Sequence, residues 1–301
     1  MPEIANALTV DVEDYFQVSA LAPHIARADW ERIPCRVERN VEAILSLFAQ
    51  SGARATFFTL GWIAERYPGL VKRIVAEGHE LASHGYGHLR IHEQTPAQFT
   101  QDIGRAKALL EDLSGMQVQG YRAPSFSIGE RTLWAFERIA QAGYRYSSSV
   151  YPVSHDLYGM PDAPRFPYRP RADLIEIPVT TSVVLGRNLP AGGGGYFRLL
   201  PYAASRALIR RVNEVDRRPG IFYFHPWEID PAQPRVPGTG LKTRFRHYVN
   251  LRRTEPRLRR LLRDFRWRRM DEVFLTGENL GAGSACGFPL PLGGISAPTS
   301  P

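Results

Sequence analysis

Cysteine is nearly absent from this 301-residue chain: only Cys35 and Cys286 occur. Two distant thiols, neither in a Cys-x-x-Cys pair, exclude a disulfide-built scaffold and a cysteine-ligated zinc site. Long apolar runs are also missing, and no stretch approaches the roughly 20 residues that a membrane-spanning helix needs. The N-terminus lacks a basic patch followed by an apolar stretch. Met1-Pro2-Glu3-Ile4 leads straight into a strand-like segment, so no secretory leader is expected and the cytoplasm is the expected location. The run Gly192-Gly193-Gly194-Gly195 is not followed by Gly-Lys-Ser/Thr, which excludes a phosphate-binding loop.

What is present is ordinary for a globular protein, with 44% hydrophobic and 23% charged residues. The length fits one large α/β barrel or two small domains. The net charge of +8 is concentrated: residues 241–270 hold twelve Lys and Arg against Glu255 and Asp264. That segment alone carries +10, which leaves −2 for the remainder. Leu258, Leu261, Leu262 and Phe265 sit at helical spacing within it, as do Phe245, Tyr248 and Val249 nearer its start. Two amphipathic helices are expected, packed on the main domain with a basic face outward. No nucleic-acid-binding module accompanies the arginines, so nucleic acid is not expected as a partner. Anionic lipid headgroups or an acidic polysaccharide fit a basic face better.

Short β-rich runs alternate with amphipathic stretches. Strands are expected near 7–11, 55–59, 80–83, 118–122, 144–147, 174–178 and 221–225. Helical spacing appears in Val41-Ile44-Leu45-Phe48, in 70–76, in 133–140 and in 202–215. Thr95-Pro96-Ala97-Gln98 is a helix start signal, with a capping threonine, a proline in the first turn and a glutamine that can reach back. Alternating strands and helices imply a parallel sheet, and seven such units favour a closed or nearly closed barrel. Residues 148–173 and 184–200 are expected to be long irregular insertions. The first is rich in Tyr and Pro, which suits stacking on sugar rings or packing on the barrel.

In α/β barrels the chemistry gathers on loops after the strand C-termini. Asp11 ends the first expected strand, His84 follows the third, Arg122 ends the fourth and His225 ends the seventh. His84 and His88, four residues apart, can supply two imidazoles to a divalent metal. An acidic residue from Asp11-Val12-Glu13-Asp14 would complete three protein ligands and leave a position open for water. Asp11 and Glu13 share one face if the strand continues. If it ends at Asp11, Asp14 can swing in instead.

Thr9-Val10-Asp11-Val12-Glu13-Asp14, His84-x-x-x-His88, Tyr121-Arg122-Ala123-Pro124 and Ile221-Phe222-Tyr223-Phe224-His225 resemble, in order and spacing, the motifs of the polysaccharide deacetylases (carbohydrate esterase family 4). The resemblance covers residues 5–230. The chain most resembles the branch found at exopolysaccharide loci of bacteria with the exosortase (PEP-CTERM) system, where an extension follows a motif matching His225-Pro226-Trp227-Glu228. The resemblance implies a distorted (β/α)7 barrel over residues 1–230 followed by an extension. The arginine-rich pattern makes 231–275 a basic helical extension, and residues 276–301, rich in Gly, Pro, Ser and Ala, are expected to be a disordered tail. The resemblance also implies metal-dependent removal of N-acetyl groups from N-acetylhexosamine units of an exopolysaccharide or its lipid-linked precursor; the expected lack of a leader favours a precursor at the cytoplasmic face of the inner membrane. Zinc is the expected metal, with cobalt or nickel as substitutes.

By the same resemblance His84 and His88 are metal ligands, with Glu13 as the third and Asp14 as its alternative. Asp11 is the general base, Arg122 orients it, His225 protonates the leaving amine, and the backbone N–H of Ser125 faces the oxyanion. Three positions depart from the family pattern. The acids read Asp-x-Glu-Asp instead of adjacent aspartates. Ser125 replaces an aromatic residue. Ser147 stands where an aspartate is expected to brace Arg122, and Asp156 is a candidate substitute for that brace. Two other functions fit parts of the pattern: hydrolysis of cyclic ureides, as in allantoinase-like relatives with this acid spacing, and non-catalytic binding of carbohydrate or a membrane surface.

Overall fold

The computed structural model describes residues 4–156 and 158–276. Apart from residue 276, the expected tail lies outside the described residues, as does Cys286. The strands in chain order are β1 (Ala5–Val12), β2 (Thr56–Thr59), β3 (Glu80–Ser83), β4 (Gly120–Tyr121), β5 (Tyr146–Ser147) and β6 (Tyr168–Arg171). They continue with β7 (Leu174–Glu176), β8 (Thr181–Val184), β9 (Arg187–Pro190), β10 (Ile221–Phe224) and β11 (Arg266–Arg268). The main sheet runs β10-β1-β2-β3-β4-β5-β7-β6. Seven of its parallel strands, β10, β1, β2, β3, β4, β5 and β7, are the seven expected. β2, β3, β7 and β10 are buried along their whole length, because helices cover one face of a parallel sheet while the barrel interior fills the other.

The helices obey local signals. Val37–Ser51 buries Val37, Val41, Ile44, Leu45 and Phe48 on one stripe and ends at Gly52 with φ 67°, a left-handed cap that glycine adopts without a Cβ clash. Pro96–Ser114 begins at Thr95, whose hydroxyl accepts from Gln98 N–H at 3.3 Å while Gln98 Oε1 accepts from Thr95 N–H at 2.9 Å.

No ladder joins β7 to β10. The glycine run fills that gap: Tyr223 N–H donates to Gly192 O at 2.7 Å, and Ala191 N–H to Thr180 O at 3.1 Å. A Cβ at Gly193 (φ 110°) would lie 2.2 Å from Tyr223 O, so the run exists for close backbone approach. This incomplete closure is the distortion of the barrel.

Residues 184–200 are not irregular. β8 and β9 form an antiparallel hairpin, and Gly194–Leu199 is a helix. The hairpin turns at Leu185-Gly186 with φ 49° and 74°, a geometry usually marked by Asn-Gly; leucine there conceals it. β6 holds Pro170 on an edge strand. β11 is three residues inside a run of arginines, yet it pairs in parallel with the start of β1.

Helices Leu241–Tyr248, Leu251–Asp264 and Met270–Phe274 flank β11. Leu258, Leu261, Leu262 and Trp267 share one core cluster with Val41, Phe48 and Phe224. Leu258 and Leu261 are fully buried, each contributing about 1.5–3 kcal/mol. Residues 231–275 thus share the sheet and the core of the barrel. Among the described residues no helix is long and apolar enough to cross a membrane.

Candidate active site

Asp11 lies one residue before the end of β1, where Glu13 N–H turns back to Asp11 O at 3.0 Å. That tight turn sends the next two acids in different directions. Asp14 Oδ1 accepts from Tyr15 N–H at 2.7 Å, and Oδ2 accepts from the N–H groups of Arg36 and of Val37, the latter at 2.8 Å. Both oxygens cap helical turns, so Asp14 is not placed to ligate a metal. Glu13 instead joins His84 and His88 in a buried triplet whose ligand atoms all lie within 4.8 Å of one another.

The loop between the histidines is held from outside. Asp102, on helix Pro96–Ser114, accepts from Tyr86 N–H at 2.8 Å and from Gly87 N–H at 3.3 Å. A Cβ at Gly85 (φ 76°) would meet Asp102 Oδ2 at 2.8 Å, which explains the glycine. His84 Nδ1–H donates to Arg122 O at 2.8 Å. A carbonyl only accepts, so this bond assigns the proton to Nδ1 and leaves the Nε2 lone pair free as a ligand.

The residues present fit a divalent cation. Glu13 Oε2 is buried without a geometrically sound hydrogen bond, although His88 Nε2 lies 2.7 Å away. Two donor atoms converge with no proton suitably shared between them, the arrangement a cation resolves. Burial acts to raise the Glu13 carboxyl, but the charges of His88 and His225 outweigh it and bring it to about 2. Burial lowers His84 to about 4, which favours the neutral ligand form.

Beside the triplet is a buried ion pair. Arg122 Nη1 is 2.6 Å from Asp11 Oδ1 and also donates to Thr9 Oγ1 at 2.8 Å. Its Nε and Nη2 donate to Ser148 O and Oγ at 3.1 and 3.0 Å, and the guanidinium lies 4.0 Å over the Phe58 ring. Arg122 is 0% exposed and Asp11 2%, so the pair is screened little by solvent.

His225 follows β10, with Nε2 3.6 Å from Glu13 Oε1 and 4.0 Å from Asp11 Oδ2. Its Nδ1–H donates to Glu228 Oε1 at 2.6 Å, and Glu228 Oε2 accepts from Arg198 Nε at 2.5 Å. Burial works to lower His225, but Glu13, Glu228 and Asp11 lift it to about 9. It therefore carries a proton at neutral pH. Trp227 donates to Glu13 Oε1 at 3.2 Å and is stacked between His225 and His247, at 5.2 and 4.4 Å. Ser125 and Phe126 hold left-handed φ of 54° and 48°, a cost of about 1 kcal/mol or more each. The Ser125 N–H donates to no acceptor among the described residues.

Asp11, Glu13, His84, His88, Ser125 and His225 line one groove of about 660 Å³, and Arg122 supports it from below through Asp11. Its far bank is formed by Tyr158, Tyr196, Lys242, Phe245 and Arg246. Tyr151 is buried and stacks on Tyr158 at 5.7 Å, so the aromatic insertion packs first and offers only its edge to the groove. Ser147 donates to Ser149 Oγ at 2.8 Å and is not among the hydrogen-bond partners of Arg122. One sequence expectation fails. Asp156 does not brace Arg122 and pairs with Lys242 and Arg246 at 2.7 and 3.0 Å. Glu228, Arg198 and Asp102 were not anticipated as parts of the site. Only Glu228 had a local signal, an acid three residues after a strand-ending histidine.

Residues 30–147 match the family model described as polysaccharide deacetylase, and residues 148–275 match the domain of unknown function DUF3473. A peptidoglycan-N-acetylglucosamine deacetylase of Bacillus cereus is 35% identical over 96 residues, 32% of this chain and 35% of the relative. A peptidoglycan deacetylase of Helicobacter pylori is 30% identical over 113 residues, 38% of each chain. The chain thus spans about a third of the length of these curated relatives. A solved structure of a polysaccharide deacetylase candidate from Mycobacterium smegmatis superposes with TM-score 0.52 at 18% identity, over 87% of this chain and 92% of that one; this likeness is one of fold. The segment bearing His84, His88 and Arg122 is thus similar to polysaccharide deacetylases, and it continues into a DUF3473 segment that brings His225 to the same groove.

Proposed function

We propose that this protein is a metal-dependent deacetylase that hydrolyses N-acetyl groups on N-acetylhexosamine units of an exopolysaccharide or its lipid-linked precursor. One observation carries the reading: the Glu13-His84-His88 triplet lies in a groove between a buried Asp11–Arg122 pair and a protonated His225. A divalent cation held by the triplet, zinc in this proposal with cobalt or nickel as substitutes, would polarise the acetyl carbonyl and acidify the attacking water.

The chain's own residues account for the proton traffic. Arg122 occupies Asp11 Oδ1, so Oδ2 faces the groove as the base that takes the water's proton. The Ser125 N–H, on the groove wall without an acceptor among the described residues, would stabilise the negative charge that develops on the carbonyl oxygen. His225 keeps its Nδ1 proton on Glu228 and delivers its Nε2 proton to the departing nitrogen. Acetate and a free amine result.

The name of the Bacillus relative supports an N-acetylated hexosamine substrate, and that of the Helicobacter relative supports deacetylation of a glycan-containing polymer. The likeness to the exosortase-associated branch supports an exopolysaccharide. A membrane-surface location at the cytoplasmic face draws support from helix Leu241–Tyr248. Leu241 and Phe245 are 84% and 57% exposed there, among Lys242, Arg244 and Arg246, a mixture that suits anionic headgroups.

The test is to incubate zinc-loaded protein with N-acetylated hexosamine oligomers and with allantoin, measuring acetate and free amine. Equal amounts of acetate and amine from an oligomer are expected. Ring opening of allantoin without acetate, or no product from protein holding stoichiometric zinc, refutes the reading.

A further inference from the structure

The mechanism leaves a fully buried carboxylate beneath the site without a role. Glu176 ends β7, is 0% exposed, and is the register partner of Ser147 on β5. Its Oε1 accepts from the N–H groups of Ser149 and Val150, both at 2.8 Å. Those residues flank the groups that hold Arg122. Ser148 presents its carbonyl and its hydroxyl to the guanidinium, and Ser149 Oγ accepts from the N–H of Ala123, next to Arg122, at 2.9 Å.

We propose that Glu176 is a positioning residue for the Arg122–Asp11 pair, anchoring the 147–150 turn from β7 in place of a carboxylate on β5. A turn carrying two acceptors for one buried guanidinium must not drift, because a shift of one ångström in a supporting group is enough to slow catalysis severely. Two N–H groups bound by one carboxylate oxygen provide that restraint. Neighbouring parallel strands lie about 4.8 Å apart and register partners point to one side, so a carboxylate at 176 reaches the turn that an acid at 147 would reach. Burial pushes the Glu176 carboxyl up, while Ser147, the two N–H groups and Arg122 act the other way. Burial prevails and the carboxyl is raised overall, with Oε2 buried and unpartnered among the described residues, so the geometric restraint rests on Oε1 alone.

This proposal rests on the deacetylase reading for its kinetic test. In the zinc-loaded full chain, Glu176→Ala is expected to lower kcat by about 10- to 100-fold, with KM and zinc content little changed. Glu176→Gln keeps an acceptor oxygen and is expected to recover most of the rate. The double variant Ser147→Asp/Glu176→Ser moves the carboxylate across the strand pair. An aspartate there can accept the N–H two residues on, and kcat is expected to rise well above that of Glu176→Ala. A Glu176→Ala protein with lower Tm but unchanged kcat overturns the proposal. If Glu176→Ala does not fold, the double variant decides: folded, zinc-loaded and still slowed by about 10- to 100-fold against the wild type, it overturns the proposal. The Arg122 Nε–H signal in nitrogen-15 spectra gives a readout without turnover. It is expected to be slowly exchanging in the wild type and to lose that protection in Glu176→Ala. If the wild type releases no acetate, the deacetylase reading fails; an unchanged Nε–H signal in the variant refutes the anchor itself.

Discussion

Replacing Glu228 with glutamine isolates what keeps His225 protonated. Burial works against the imidazolium, and three carboxylates oppose it: Glu13, Glu228 and Asp11. A cation on Glu13 would offset that residue's pull, which leaves Glu228, bonded to Nδ1 at 2.6 Å, as the principal support. An opposite charge at this range moves a titration by about 1–3 units. The sign is fixed by the role. His225 acts as an acid, so activity falls as pH rises through its pKa, and lowering that pKa brings the fall to lower pH. In Glu228→Gln the alkaline limb of kcat/KM should therefore move down by about 1–2 units. The variant should lie near the wild type around pH 6 and several-fold below it at pH 8. Glutamine retains an oxygen for Arg198 Nε, so the structural cost should stay near about 1–3 kcal/mol. The assay is a pH series of acetate release on zinc-loaded protein. An alkaline limb that does not move refutes the assignment of His225 as the acid poised by Glu228.

Asp11→Asn should retain zinc, because Asp11 is not in the triplet, and lose turnover by about 10²- to 10⁴-fold; zinc analysis with the acetate assay checks both. His84→Ala should lose stoichiometric zinc and acetate release together. Ser147→Asp alone should destabilise the protein by roughly 3–5 kcal/mol, since the new carboxylate is buried against Glu176; thermal unfolding measures it, and an unchanged Tm contradicts the packing described. His247 is lowered by burial, and by Arg198, to about 3 from its ordinary 6.5. Its contribution to stability is present above pH 6.5 and lost as pH falls toward 3, with a slope of up to about 1.4 kcal/mol per pH unit. Urea midpoints should fall across that window, and less so in His247→Gln.

The placement of the seven parallel strands was legible because each is a short apolar run ended by a polar residue, and because the helices between them carry their own caps, as at Thr95 and Gly52. Elements governed by partners instead of local pattern were not legible. β11 is a strand because β1 offers it an edge, and the hairpin at 181–190 turns on a leucine that local preference disfavours. Ser147 gave a misleading signal for the same reason. The sequence shows which residue is missing an acid, and only the register of β5 against β7 reveals the acid supplied by a neighbour.

The amino-acid sequence by itself determined the chemical inventory: two histidines four apart, an acidic run ending the first strand, and an arginine and a histidine ending the fourth and seventh. It did not choose between Glu13 and Asp14, since both lie within reach of the strand end. That choice belongs to the tertiary structure. The N–H groups of Arg36 and Val37, more than twenty residues away, take both lone-pair faces of one Asp14 oxygen, while Tyr15 takes the other. Unpaired helix N–H groups are costly to bury, so the fold assigns Asp14 to them and leaves Glu13 facing the histidines.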